Sequence, residues 1–190
     1  SLLFDKPLAP PNDYELDLVD QLKTRFGPLA ANENEISAEA EWLRFLARLT
    51  DRVLKGDPRE FLRWDVIEET MFVSFAPYLR QELRFLRSRQ EWNSRWSSAV
   101  TESPVGRPFI YPYLRTSSGN LIHHAYHVAQ FEDRTAIKTD EIDLVLELGG
   151  GYGSMCRLFH NLQFQGRYVI FDLPHFSALQ EYFLRSVGVP

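Results

Sequence analysis

Apolar positions recur at helical spacing through most of the first 130 residues. Between Asp13 and Phe26, Leu18, Val19, Leu22 and Phe26 fall on one side, and Gly27-Pro28 predicts the stop. Ser37 is placed to cap a second helix, in which Trp42, Leu46, Leu49 and Val53 align before Gly56 ends it. Asp57-Pro58 predicts a restart, with the aspartate as cap and the proline in the first turn. Pro77 opens what the pattern predicts to be one long helix running towards Ala99. Residues 102–119 hold three prolines and two glycines and predict a connector. Asn120 to Phe131 reads as a further helix.

The period then changes. Residues 142–146, IDLVL, form a short and nearly continuous apolar run, the pattern of a strand covered on both faces. Met155, Leu158, Phe159 and Leu162 follow at i, i+3, i+4 and i+7, which is a helix broken by Gly166. Tyr168 to Phe171 predicts a second strand. Pro174 opens a last helix with Phe176, Leu179, Phe183 and Val187 on its inner side and Gly188 as its cap. The order is strand, glycine turn, helix, strand, acidic residue, helix. The fold class this predicts is α/β, with a helical region over 1–115 and the first βαβ part of a nucleotide-binding domain over 116–190.

Four of the ten glycines, Gly149, Gly150, Gly151 and Gly153, fall in the turn between strand and helix. Glycine permits a positive φ there and lets a ligand approach bare backbone at a helix start. The spacing departs from the G-x-G-x-x-G of dinucleotide sites, because Ser154 stands at the third position. Glu147 sits two residues before the first glycine, where a carboxylate disfavours a pyrophosphate and suits a cationic ligand. Asp172, at the end of the second strand, is placed to accept both hydroxyls of a ribose.

ELGGGYG, Glu147 to Gly153, resembles motif I of class I S-adenosylmethionine-dependent methyltransferases. FDLPH, Phe171 to His175, looks like the end of the second strand in small-molecule O-methyltransferases. Taken with FSALQEYFL, the two are most similar to the sugar O-methyltransferases of bacterial polysaccharide and natural-product gene sets. The resemblance covers about residues 144–185 and implies a Rossmann-like fold with S-adenosylmethionine as cofactor. By the family pattern Glu147, Gly149, Gly150, Gly151, Tyr152 and Gly153 would lie near the methionine end, Asp172 at the ribose and Leu173 beside the adenine. It implies methyl transfer to a hydroxyl of a sugar or sugar-containing small molecule. A non-catalytic scaffold of the same fold is the alternative, and a nicotinamide-dependent oxidoreductase ranks third. The helical region would then form a cap over the acceptor or a surface for homo-oligomers.

Composition narrows the partners. A net charge of −5 and a pI of about 5.6 argue against nucleic acid. No run of 18 apolar residues and no charged-then-apolar leader stands in the chain, so neither a membrane span nor a signal peptide is expected. The single Cys156 cannot form an internal disulfide, and the expected setting is cytoplasmic. Cys156 also lies in a helix's first turn, where a thiol pKa can fall, although a small packing residue is the more usual role.

Other groups are weighed against plainer roles. Arg80, Arg84, Arg87, Arg89 and Arg95 read as a solvated helix face more readily than as an anion site, and Trp92 and Trp96 as core. Phe109, Tyr111 and Tyr113 pin the connector more readily than they form a lid. In LIHHAYH, His123 and His127 are four apart and can share a helix face, but no third ligand or supporting acid is evident, so no metal site is expected. His123, His124, Tyr126 and His127 are instead the candidate catalytic groups facing the cleft, with a neutral histidine as base. Two strands are all the pattern yields. The resemblance therefore implies that the natural protein continues past Pro190 or that another chain supplies the rest. On that view this stretch alone transfers no methyl group, and Leu146 or Phe171 lies exposed on an open edge.

Overall fold

A computed structural model of the chain describes residues 7–31 and 40–189. Ser37, the expected second cap, lies outside them. Helix α1 (Asp13–Ala31) starts with a reciprocal cap: the Asn12 side chain accepts from the Glu15 N–H and Glu15 accepts from the Asn12 N–H, each at 2.9 Å. It does not stop at Phe26. Pro28 lies inside it, because the ring holds φ at a helical value and the single bond lost falls where Gly27 and Pro28 are solvent-exposed. Helix α2 (Ala40–Lys55) buries Leu46, Leu49 and Val53, but Trp42 stays 46% exposed. Asp57 caps a 3₁₀ turn (Pro58–Arg63) through the Arg59 N–H, and α3 (Asp65–Met71) follows.

The long helix expected from Pro77 is three pieces. Helix α4 (Leu79–Ser88) ends where Arg89 turns extended, a π turn occupies Trp92–Trp96, and α5 (Ser97–Ala99) is a single short turn. The break has a packing reason. It brings Trp96 fully into the core and aims Arg95 at Glu132, which it grips with two bonds of 2.8 and 2.6 Å. The basic face is largely spoken for within the chain. Arg89 pairs with Asp133, Arg87 donates to the Tyr113 carbonyl and Arg80 stacks over the Tyr113 ring. The connector is pinned, with Tyr111 buried and Phe109 beneath the Arg63 guanidinium, while Tyr113 stays on the surface.

Helix α6 (Gly119–Thr135) is capped by Ser118, whose hydroxyl accepts from the Leu121 N–H. A β-carbon on Gly119 would stand 2.4 Å from the Val73 carbonyl oxygen and 2.7 Å from that of Ser74. The loop before α4 therefore crosses the helix start at backbone distance. Gly119→Ala should cost about 1–3 kcal/mol, since neither carbonyl belongs to a side chain that can swing away. A denaturation midpoint matching the unchanged chain would show that the crossing is looser than this.

Strands β1 (Leu144–Leu148) and β2 (Arg167–Phe171) pair in parallel, Leu144 opposite Arg167 and Leu148 opposite Phe171. Helix α7 (Ser154–Asn161) connects them and α8 (Pro174–Ser186) follows. The architecture of the described residues is mixed α/β, mainly helical, with a two-stranded parallel sheet. One sheet face packs Val145 and Tyr168 against the core. The other is open, and Leu144, Leu146, Leu148 and Phe171 are 58–78% exposed. The apolar run thus belongs to a strand covered on one face among the described residues, not on both.

Among the described residues, two apolar clusters form the core. The first joins α1 and α2 to α8 through Leu22, Phe26, Leu49, Leu179 and Phe183, and takes in Tyr152. The second joins α4, α6 and α7 through Leu83, Leu86, Ala125, Leu158 and Phe159. Each draws on both sides of residue 115. No helix among the described residues is long and apolar enough to cross a membrane.

Candidate functional site

The glycine turn is fixed from both ends. The Gly149 N–H donates to the Phe171 carbonyl at 2.9 Å, extending the sheet ladder, and the Gly153 N–H closes onto the Gly150 carbonyl at 2.9 Å. Gly149 and Gly151 have φ of 74° and 56°, a region that side chains disfavour. Gly150 is required by space instead, since a β-carbon there would lie 2.6 Å from Ile170 and 3.1 Å from the Glu147 carboxylate. The turn faces a pocket of about 200 Å³ that Met71, Asn120, His124 and Glu147 help to line. A larger cleft, about 280 Å³, lies between the Pro7–Pro10 arm and α8, away from the glycines. That cleft contains neither the bare turn nor Glu147 and Asp172.

Two carboxylates flank the turn. Glu147 accepts from the Tyr168 hydroxyl at 2.9 Å. Burial pushes the Glu147 carboxyl above its usual range, the Tyr168 bond opposes this, and the charge of Asp172 adds to it. Asp172 accepts from the Leu173 N–H at 2.8 Å and, through its other oxygen, from Gln180 at 2.8 Å. A carboxylate offers about four lone-pair sites, so each oxygen keeps one to spare. The Gln180 amide also donates to the Gly151 carbonyl at 3.0 Å, making it a strut between acid and turn. Its signal in the sequence was a polar residue next to Leu179 on the inner face of α8, eight positions after Asp172.

The expected residues divide. Gly149, Gly150, Gly151, Glu147 and Tyr152 belong to the pocket wall, whereas Gly153 and Asp172 do not line it. The Tyr152 ring itself turns into the core against Phe61 and Phe183, and its hydroxyl accepts from Asn120 at 2.9 Å. Leu173 precedes α8 and packs on the first cluster. Of the four catalytic candidates, His124 lines the pocket, and its Nδ1 is buried without a hydrogen-bond partner. Burial, helped by His123 and His127, lowers its pKa to about 4, so it is neutral at pH 7 and a weak base. His123 and His127 lie against each other elsewhere on α6, and Tyr126 packs on Phe85. Burial, and secondarily Glu147, pushes the Cys156 thiol up to about 12, which leaves it an inert packing group.

Set beside known proteins, the chain matches no family model, no curated protein and no solved structure.

Proposed function

We propose that this chain carries the cofactor-binding turn of an S-adenosylmethionine-dependent O-methyltransferase with a Rossmann-like domain, acting on a hydroxyl of a sugar or sugar-containing small molecule. One observation carries the reading: bare backbone at Gly149, Gly150 and Gly151, with Glu147 in the pocket wall, Asp172 tied to the turn through Gln180, and no Lys or Arg among the residues lining the pocket. A β-carbon on Gly149 would meet nothing within 4 Å, so the backbone is open to a ligand there. The same donor set fits a pyrophosphate poorly, because Glu147 and Asp172 would repel it.

S-adenosylmethionine, when bound, supplies a methyl group activated by its sulfonium. The roles of the chain are to bind and align it. Asp172 holds the ribose hydroxyls, and Gln180 keeps Asp172 in register with the turn. Glu147 offers negative charge to the cationic end, and Leu173 flanks the adenine. His124, neutral and weakly basic, contributes position more than proton abstraction.

Calorimetric titration with S-adenosylhomocysteine tests this. The unchanged chain should bind it and should not bind NAD. Asp172→Ala removes charge-assisted contacts worth roughly 1.5–3 kcal/mol each and should weaken binding at least about tenfold. Equal affinity in the variant would remove Asp172 from the site, and absence of binding to the unchanged chain would sink the reading.

A further inference from the structure

Helix α6 presents a second constellation beside the glycine pocket. Asn120 and His124 face that pocket. His123 and His127, also four apart, face α4, where Glu82 is buried. The two Glu82 oxygens lie 2.9 and 3.0 Å from the Nδ1 of His123. With Glu82 accepting from the Nδ1–H, Nε2 is the ring atom of His123 that faces its other neighbour.

That Nε2 lies 3.3 Å from the Nε2 of His127. Two imidazole nitrogens sharing a tetrahedral zinc ion, each about 2.0–2.1 Å from it, stand about 3.3–3.4 Å apart. The ring planes cross at 86° with centroids 4.5 Å apart, and the two nitrogens are within hydrogen-bond reach of each other, so a bound ion would replace the proton they share. His127 is exposed and Glu82 buried, which gives an ion access from solvent while the orienting acid stays dry.

We propose that His123 and His127, through their Nε2 atoms, bind one divalent transition-metal ion, zinc in first place, with Glu82 as the outer carboxylate that fixes the His123 ring. The sequence alone offered no supporting acid. Glu82 is that acid, 41 residues upstream on a different helix. Imidazole donors favour zinc, nickel or copper over magnesium and calcium. Two protein nitrogens leave the remaining positions to water or to an oxygen of a bound molecule. The site stands apart from the glycine turn and does not depend on how that turn is read.

The test is titration of zinc chloride into the metal-stripped chain, followed by calorimetry, with cobalt absorption as a second readout. One ion should bind per chain, and the cobalt form should show ligand-field bands. His127→Ala, at an exposed position that leaves Glu82 and His123 together, should weaken zinc at least about tenfold and abolish those bands. Glu82→Gln should weaken it about 10–100-fold, as loss of an outer carboxylate does. His160→Ala, on α7, should change nothing. Circular dichroism without metal checks the fold of each variant, and His127→Gln replaces any that fails. A chain that takes up no zinc, or binds it equally well as His127→Ala, would mean that the histidines only bond each other. Undiminished affinity in Glu82→Gln would remove the carboxylate from the site.

Discussion

Replacing Glu102 with Ala should cost about 3–5 kcal/mol, because it leaves the Arg157 guanidinium buried with its main partner gone. Both side chains are under a tenth exposed, and the pair closes at 2.7 Å. The same carboxylate accepts from the Ser118 hydroxyl, which caps α6, and Arg157 also donates to the Thr101 carbonyl. One acid thus ties the connector, the start of α6 and the first turns of α7 together. The double change Glu102→Ala with Arg157→Leu should recover much of the loss, since an apolar pair does not carry an uncompensated charge. Urea denaturation of the two variants separates these outcomes. A single variant within 1 kcal/mol of the unchanged chain would mean that water reaches the pair.

The glycine turn and its strands were legible because their causes are local. A run of apolar residues, positive φ at Gly149 and Gly151, and a proline opening α8 each act within a few residues. What was not legible depends on residues distant in sequence. Glu102 meets Arg157 across 55 positions and Glu82 meets His123 across 41, and neither pairing leaves a mark in spacing. The break at Arg89 is another case. Local pattern favours one helix, but burying Trp96 and joining Arg95 to Glu132 overrides it. Pro28 errs the other way, because a proline near an exposed helix end costs too little to stop the helix. Gln180 sat in plain view on an apolar face, and the oddity of its polarity was the unread signal.

Phe183→Ala and Phe171→Ala should behave as opposites, although both remove a phenyl ring from the α/β part. Phe183 is 2% exposed and meets Phe61 and Tyr152 edge-on, with centroids 5.8 and 5.0 Å away. Removing it leaves a cavity where α8, the 3₁₀ turn and the glycine turn converge, and should cost about 3–5 kcal/mol. Tyr152 would lose its backing, so the turn that it anchors should loosen as well. Phe171 is 58% exposed on the open face of β2, beside Leu148. Its loss should stay within about 0.5 kcal/mol, as for other surface positions. Guanidinium unfolding of both variants, side by side, measures the contrast. If Phe171→Ala were as damaging as Phe183→Ala, the open face would be covered in solution by a second copy of the chain, and stability would then rise with protein concentration. Equal losses with no concentration dependence would mean instead that the ring is buried within the chain itself, against the exposure on which the contrast rests.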